Sequence, residues 1–211
     1  MGKTATSGQI QGSNKLDMNV IAAGPDAELM LRVKAGDEGS FADLLSRHRD
    51  PVVNFLCRMV QNAAIAEELA QDVFLRVYRA RASYEPSAKF TTWLYRIATN
   101  VALNHIRDGH MAKQMAAIDD PESEVGRELR TSEANIEEQL VAQSLGWEVR
   151  QAVMALPGKQ RAAVLLHKYQ ELDYKQIAAA LGCSESAVKS LLFRAYETLR
   201  ERLSHLAGGR S

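Results

Sequence analysis

A chain of 211 residues with 46% hydrophobic residues, 5 prolines and a formal net charge of +0 has room for two small folded domains but is short for three, and its composition is that of folded, mainly helical material rather than a disordered polymer. No apolar run approaches the ~18 residues that a bilayer span needs, and no h-region opens the chain, so neither membrane insertion nor export is expected. Two cysteines, Cys57 and Cys183, lie far apart in apolar surroundings, as reduced core residues of a cytosolic protein would, and without metal-ligand spacing.

Residues 1–25 are rich in Gly, Ser, Thr, Asn and Gln without periodicity and read as a flexible tail. From Asp26 the pattern turns helical. Leu29, Met30 and Val33 repeat at three and four residues before Gly36 stops the segment. Phe41, Leu44 and Leu45 form another short apolar face. Asp50-Pro51 opens the next predicted helix, with proline in the first turn where its missing N–H matters least, and Val52, Val53, Phe55, Leu56, Met59 and Val60 bury one side. The segment from Asn62 to Ala82 carries a core stripe of Ile65, Leu69, Val73, Phe74 and Val77, with Glu67, Glu68, Gln71, Asp72, Arg76 and Arg79 facing outwards. A loop containing Pro86 follows, and Thr91 is expected to cap a helix that runs through Trp93, Leu94, Ile97, Ala98, Val101, Ala102 and Ile106 to about Asp108. Periodicity then fades, with at most a short helix near Ile136 to Leu140. It resumes around Leu145 with Trp147, Val149, Val153 and Met154, breaks at Leu156-Pro157-Gly158, and continues over Arg161 to Tyr169 with Val164, Leu165 and Leu166 inside. No strand-like alternation appears, so the expected class is all-α. The expected organisation is a tail at 1–25, a helical domain at 26–108, a connector at 109–145 and a second helical domain at 146–206.

Charge is segregated along this order. Between Arg76 and Lys113 seven cations face only Glu85 and Asp108, whereas from Asp119 to Glu148 nine carboxylates face only Arg127 and Arg130. Two polyanion-binding bodies joined by an acidic connector fit that pattern; solvated helix faces fit it as well.

The most informative stretch is Tyr174 to Ala195. Ile177, Ala178 and Leu181 share one face, Gly182 suits the left-handed turn that ends a helix, and Ser184 suits the N-cap of another, with Glu185 at its positive start. Small Ala178 lets the two helices cross closely. Val188, Leu191 or Leu192, Ala195 and Leu199 supply the buried stripe of the second helix. Its other face carries Ser186, Lys189, Ser190 and Arg194, groups that reach base edges and phosphates in a major groove. The pattern is that of a helix-turn-helix, although ordinary packing of a Gly-broken helix pair would produce it too.

The rest of the chain bears on the choice. Val33-Lys-Ala-Gly-Asp-Glu-Gly-Ser-Phe41, Ala66-Glu-Glu-Leu-Ala-Gln-Asp-Val-Phe-Leu-Arg-Val-Tyr78, Phe90-Thr-Thr-Trp-Leu-Tyr-Arg-Ile-Ala-Thr-Asn100, Leu156-Pro157 and Ile177 through Ala195 resemble, in order and spacing, the strings of extracytoplasmic-function (group 4) RNA polymerase sigma factors of the sigma-24/RpoE-like kind. Asp26 to Asp108 is similar to their region 2, and Gln151 to Leu203 to their region 4. No folded domain comparable to the third segment of larger sigma factors fits between Gly109 and Gly146. The resemblance implies two small helical domains joined by a flexible acidic linker, and a promoter-specificity subunit rather than an enzyme.

It also implies roles. Gln71, Asp72, Leu75, Arg76 and Arg79 match the segment that meets the β′ clamp of bacterial core RNA polymerase, and region 4 is the part expected at the β flap. Tyr84, Ser87, Lys89, Phe90, Trp93, Arg96, Asn100 and Asn104 match the region that captures the melted minus-ten strand, where aromatic walls and a donor–acceptor amide suit a splayed base. By residue type alone, Trp93 and Phe90 suit a helix core as well. Cys183, Ser186, Lys189, Ser190 and Arg194 match the readers of the duplex minus-thirty-five element. Lys189 stands where arginine is common in relatives, keeping the charge without bidentate geometry, and Leu191 replaces another frequent arginine. Relatives are often clamped by an anti-sigma protein; nothing in the sequence identifies one.

Two other classes fit the sequence less well. A stand-alone helix-turn-helix regulator would have little use for a single-strand pocket. An enzyme is not indicated: His48, His105, His110, His167 and His205 are dispersed, no Gly-rich phosphate loop follows a strand, and the neighbouring carboxylates Glu67-Glu68 and Asp119-Asp120 lie on solvated segments, adjacent positions on a helix pointing apart. No cofactor or metal is expected.

Overall fold

The computed structural model describes residues 24–116 and 146–207. The expected tail, most of the acidic connector and the short helix near Ile136 lie outside the described residues. Within them the chain is helical, with no strand, as the periodicity predicts.

Helix α1 (Pro25–Lys34) starts with proline in its first turn, carries Asp26 and Glu28 at its positive end and Arg32 and Lys34 at its negative end, and buries Ala27, Leu29, Met30 and Val33. Gly36, at φ 102°, turns the chain in a conformation that costs other residues more. Helix α2 (Glu38–Val60) is capped by Asp37, whose carboxylate accepts from the Ser40 N–H at 3.2 Å and the Ser40 hydroxyl at 2.7 Å. These bonds hold the Asp37 carboxyl below its ordinary pKa.

The sequence predicts two helices here, split at Asp50-Pro51, and the structure corrects that to one. Leu44, Val52, Phe55 and Met59 are buried and His48 is half-buried, so a single 3.6-residue stripe passes through the proline. Burial of that continuous stripe outweighs the one backbone hydrogen bond that Pro51 removes. Gln61, at φ 51°, ends the helix.

Helix α3 (Ala63–Arg79) is capped by Asn62, which accepts from Ile65 N–H at 3.1 Å. Its buried stripe is Ala66, Ala70, Val73, Phe74 and Val77. Ile65 and Leu69, expected in the core, are only half-buried. The helix turns its alanines to α2, where small side chains allow close approach, and leaves the two larger ones at the edge. A 3₁₀ turn (Ala80–Ser83) leads to the loop and to helix α4 (Phe90–Ala116), 27 residues long. It begins one residue before Thr91 and ends beyond Asp108. The Lys89 carbonyl accepts from Thr92 N–H at 3.0 Å at its start, so Thr91 lies inside the helix instead of capping it.

The second unit opens with α5, helical over residues 146–154. Trp147 and Val149, with which the apolar pattern resumes, are 53% and 39% exposed, while Ala152 and Leu156 are buried. Helix α6 (Gly158–Tyr169) buries Ala162 to Leu166 and also Arg161. Helix α7 (Tyr174–Leu181), α8 (Glu185–Arg202) and the short α9 (Ser204–Ala207) complete it. Buried residues of both units form one contiguous core, with α7 resting on α4, and α6 on α2 and α4.

Candidate nucleic-acid interface

The helix-turn-helix forms as the local signals require. Asp173 and Gln176 make a capping box: the Asp173 carboxylate accepts from Gln176 N–H at 2.8 Å, and the Gln176 side chain accepts from Asp173 N–H at 2.9 Å. Gly182 ends α7 at φ 63°, ψ 42°, and Ser184 caps α8 by accepting from Ala187 N–H at 3.2 Å. Ile177, Ala178, Ala180 and Leu181 pack against Val188, Leu192 and Ala195, which fixes α8 across α7 and turns its other face outwards.

On that face Ser186, Lys189, Ser190 and Arg194 are exposed. Lys189, Ser190 and Arg194 line one shallow depression together with Phe193, which is 67% exposed. Phe193 was not a sequence candidate, yet its signal was legible: it follows Lys189 by four positions and lies off the buried stripe. The two serines are partly occupied within the chain, since the Ser190 hydroxyl donates to the Ser186 carbonyl at 3.1 Å and the Ser186 hydroxyl lies 3.0 Å from that of Ser184. Cys183 stands apart from the others. It is half-buried in the turn, its N–H donating to the Ala178 carbonyl at 3.0 Å and its side chain packed on the core.

The second candidate face lies on the first unit. Ser87 and Lys89 on the loop, and Arg96, Asn100 and Asn104 on α4, are all exposed. The last three follow at intervals of four and form one stripe. The aromatic candidates behave differently. Tyr84 and Phe90 are 3% and 1% exposed and Trp93 is half-buried. Their rings pack together, Tyr84 edge-on to Trp93 at 5.0 Å and Phe90 tilted against Trp93 at 5.9 Å between centroids, with His48 5.3 Å from Phe90. This corrects the expectation of an open aromatic wall: Tyr84 and Phe90 are the floor under the loop, and only Trp93 keeps an open edge. The Tyr84 hydroxyl finds no hydrogen-bond partner among the described residues, and burial, with the nearby Asp26 charge adding to it, pushes its pKa up to about 12. Lys34 ties the loop down by donating to the Tyr84 carbonyl at 2.9 Å.

The third face is on α3. Gln71, Leu75, Arg76 and Arg79 are exposed and Asp72 is half-buried. Arg76 grips Asp72 by two contacts, at 3.0 and 2.9 Å, and Leu75 stands 53% exposed beside them. An apolar centre with a charged rim is the composition of a docking patch. Among the described residues no three His, Cys, Asp or Glu side chains gather as metal ligands, and no helix is long and apolar enough to cross a membrane.

Fold and faces together define an all-helical protein of two units whose second unit is built on a helix-turn-helix. Residues 44–110 match Sigma-70 region 2 and residues 147–199 match Sigma-70, region 4. CarQ, an RNA polymerase sigma factor of Myxococcus xanthus, is 34% identical over 177 residues, which cover 84% of this chain and 97% of CarQ. The ECF sigma factor SigW of Bacillus subtilis is 32% identical over 186 residues, 83% of this chain and 95% of SigW. The sigma-H factor of Pseudomonas aeruginosa is 30% identical over 183 residues, 86% of this chain and 95% of that protein. The chain belongs to the ECF family of RNA polymerase sigma factors, and its function is in transcription initiation. Its fold is also that of two solved structures. CnrH in complex with the cytosolic domain of CnrY superposes with a TM-score of 0.60 at 20% identity, over 87% of this chain and 97% of CnrH. The sigma factor RpoE of Bartonella quintana, in complex with the anti-sigma factor NepR, does so with a TM-score of 0.59 at 22% identity, over 78% and 96%.

Proposed function

We propose that this sigma factor docks on bacterial core RNA polymerase, at the β′ clamp through the α3 face of Gln71, Asp72, Leu75, Arg76 and Arg79 and at the β flap through its second unit, and directs it to two promoter elements. Helix α8 reads the duplex minus-thirty-five element with Lys189, Arg194, Ser186, Ser190 and Phe193. The loop and α4 hold the melted minus-ten strand, with Asn100 presenting paired donor and acceptor to a base, Trp93 offering an edge for stacking, and Lys89 and Arg96 meeting phosphate. The observation that carries this reading is the exposed polar and cationic stripe on each of two helices in different units, Lys189 to Arg194 on α8 and Arg96 to Asn104 on α4. Such a chain works in the cytoplasm beside the polymerase and performs no chemistry of its own. The RpoE of B. quintana was solved with an anti-sigma factor, and a protein of that kind is a fitting regulator here.

Run-off transcription with purified core polymerase over a genomic promoter library tests the reading. Specific transcripts that appear only when the protein is added are the expected result. No transcripts and no association with active core enzyme would sink it, and tight duplex binding by the free protein would then favour a stand-alone regulator.

A further inference from the structure

His48 is a polar residue set in an apolar stripe. It shares the face of α2 that buries Leu44, Val52, Phe55 and Met59, and its own side chain is 12% exposed. A leucine would fill that place without needing a partner. The chain instead supplies a partner from another helix: His48 Nε2 lies 2.9 Å from Oδ2 of Asp26, in the first turn of α1. A carboxylate only accepts, so Nε2 carries the hydrogen and donates. The other oxygen of Asp26 accepts from Arg47 Nη1 at 3.0 Å. With both oxygens engaged the carboxylate is held in rotation, and it holds the imidazole in turn.

That imidazole rests on the aromatic floor under the loop. Its centre is 5.3 Å from that of Phe90, the two rings tilted at 51°. Phe90 has no polar atom to fix it and takes its tilt from its neighbours. On its other side it meets Trp93 at 5.9 Å, the one ring of the group that keeps an open edge. A line of contacts therefore runs from Asp26 on α1, through His48 on α2, to Phe90 and Trp93 at the start of α4. Helix α1 grips the same floor at its far end, where Lys34 donates to the Tyr84 carbonyl at 2.9 Å. Asp26 and Lys34 lie eight residues apart on this helix, ~12 Å along its axis. The floor is thus held at two points by an element that carries none of the residues assigned to DNA.

We propose that His48, held by Asp26, is a positioning residue for strand capture. It touches no nucleotide. It fixes the Phe90 ring, and Phe90 fixes the Trp93 edge on which a base of the melted strand stacks. The role rests on the minus-ten reading above. An edge already at its working tilt has less freedom to lose when a base arrives, so the brace acts on capture and not on the first encounter with duplex.

Two measurements test this. In the first, the full chain carries Trp147→Phe, which leaves Trp93 as its one tryptophan. His48→Gln keeps a donor for Asp26 but lacks the ring, and Asp26→Ala frees the imidazole; each is expected to lower the fluorescence anisotropy of Trp93. Asp26→Asn still accepts from His48 and is expected to match the parent. In the second, holoenzyme is assembled with each variant, and opening is followed by 2-aminopurine placed in the minus-ten strand of a promoter found by run-off. His48→Gln and Asp26→Ala are expected to slow opening roughly three- to tenfold, a fraction of the value of one base–aromatic stack, at unchanged closed-complex affinity, and Asp26→Asn to open at the wild-type rate. A brace that only stabilised the fold would lower the melting temperature and the active fraction while leaving the opening rate of that fraction unchanged, and this result overturns the proposal. So does unchanged Trp93 anisotropy in both variants, an Asp26→Asn as slow as Asp26→Ala, or normal opening in His48→Gln beside slowed opening in Asn100→Ala. Normal opening in His48→Gln, Asp26→Ala and Asn100→Ala alike sinks the minus-ten reading itself, and the capture role with it.

Discussion

Lys189 and Arg194 stand on the same face of α8 but have different chemistry, and their replacement should be told apart. Lys189 is a point charge suited to phosphate, so Lys189→Ala is expected to weaken holoenzyme binding evenly across upstream sequences and to reduce the slope of log affinity against log salt by about 1. Arg194 offers a planar fork, so Arg194→Ala is expected to cost about 1–3 kcal/mol and to relax preference at one base pair. Fluorescence anisotropy over a salt series separates the two. On α4, Asn100→Ala should leave initial binding nearly intact and slow strand opening, read by permanganate footprinting; equal loss in both steps would contradict a single-strand role. Tyr84 is a different case, because its buried hydroxyl has no partner among the described residues. Tyr84→Phe is expected to raise the melting temperature, removing a stranded group worth ~1–3 kcal/mol. The folded state also keeps this phenol's proton up to about 12 rather than the ordinary 10. Stability from that site is therefore present below pH 10 and falls as pH rises towards 12, a loss that Tyr84→Phe should reduce. The exposed polar candidates were legible because a charged or amide side chain off a helical stripe has nowhere to go but water. Tyr84 and Phe90 were not, since a loop-edge aromatic looks the same in sequence whether it is wall or floor. Arg161 was hidden for the opposite reason: charged residues are surface residues by default, and only the carbonyls of Met154, Leu156 and the distant Met59 make its burial tolerable.

Among the elements, those signalled by neighbours in sequence were read well and those decided by distant packing were not. Gly182 and Ser184 mark the turn between α7 and α8 through backbone conformation and a three-residue hydrogen bond. Both are local. An added Cβ at Gly182 would meet nothing within 4 Å, so its φ of 63° is the whole constraint. Gly182→Ala is thus expected to cost ~1–2 kcal/mol and Gly182→Asn less, measured by thermal melting. In α2, by contrast, Pro51 gives a helix-start signal that the buried stripe from Leu44 to Met59 overrides. In α3 Ala66 and Ala70 join Val73, Phe74 and Val77 inside while Ile65 and Leu69 stay half-buried, and in α5 Ala152 is buried while Trp147 and Val149 are exposed. A stripe of small residues has a weak hydrophobic signal and a strong steric one, and only the second is felt once a partner helix is present.

At the scale of the molecule, the two units and their order follow from the sequence, but the seam between them does not. Its members are residues of surface type, Gln61, Arg150, Tyr95, Gln170 and Arg58, brought together from positions far apart in the chain. The length of α4 carries a further consequence. By continuing to Ala116, it leaves only residues 117–145 to join it to the start of α5 at Gly146, a leash of about 30 residues that reaches at most ~100 Å when drawn straight. Deleting ten of those residues shortens the limit to about 70 Å and is expected to abolish run-off from two-element promoters, while a duplicated leash should preserve it. If the chain reads two promoter elements as proposed, the overrun of one helix sets an upper limit to the spacing between them.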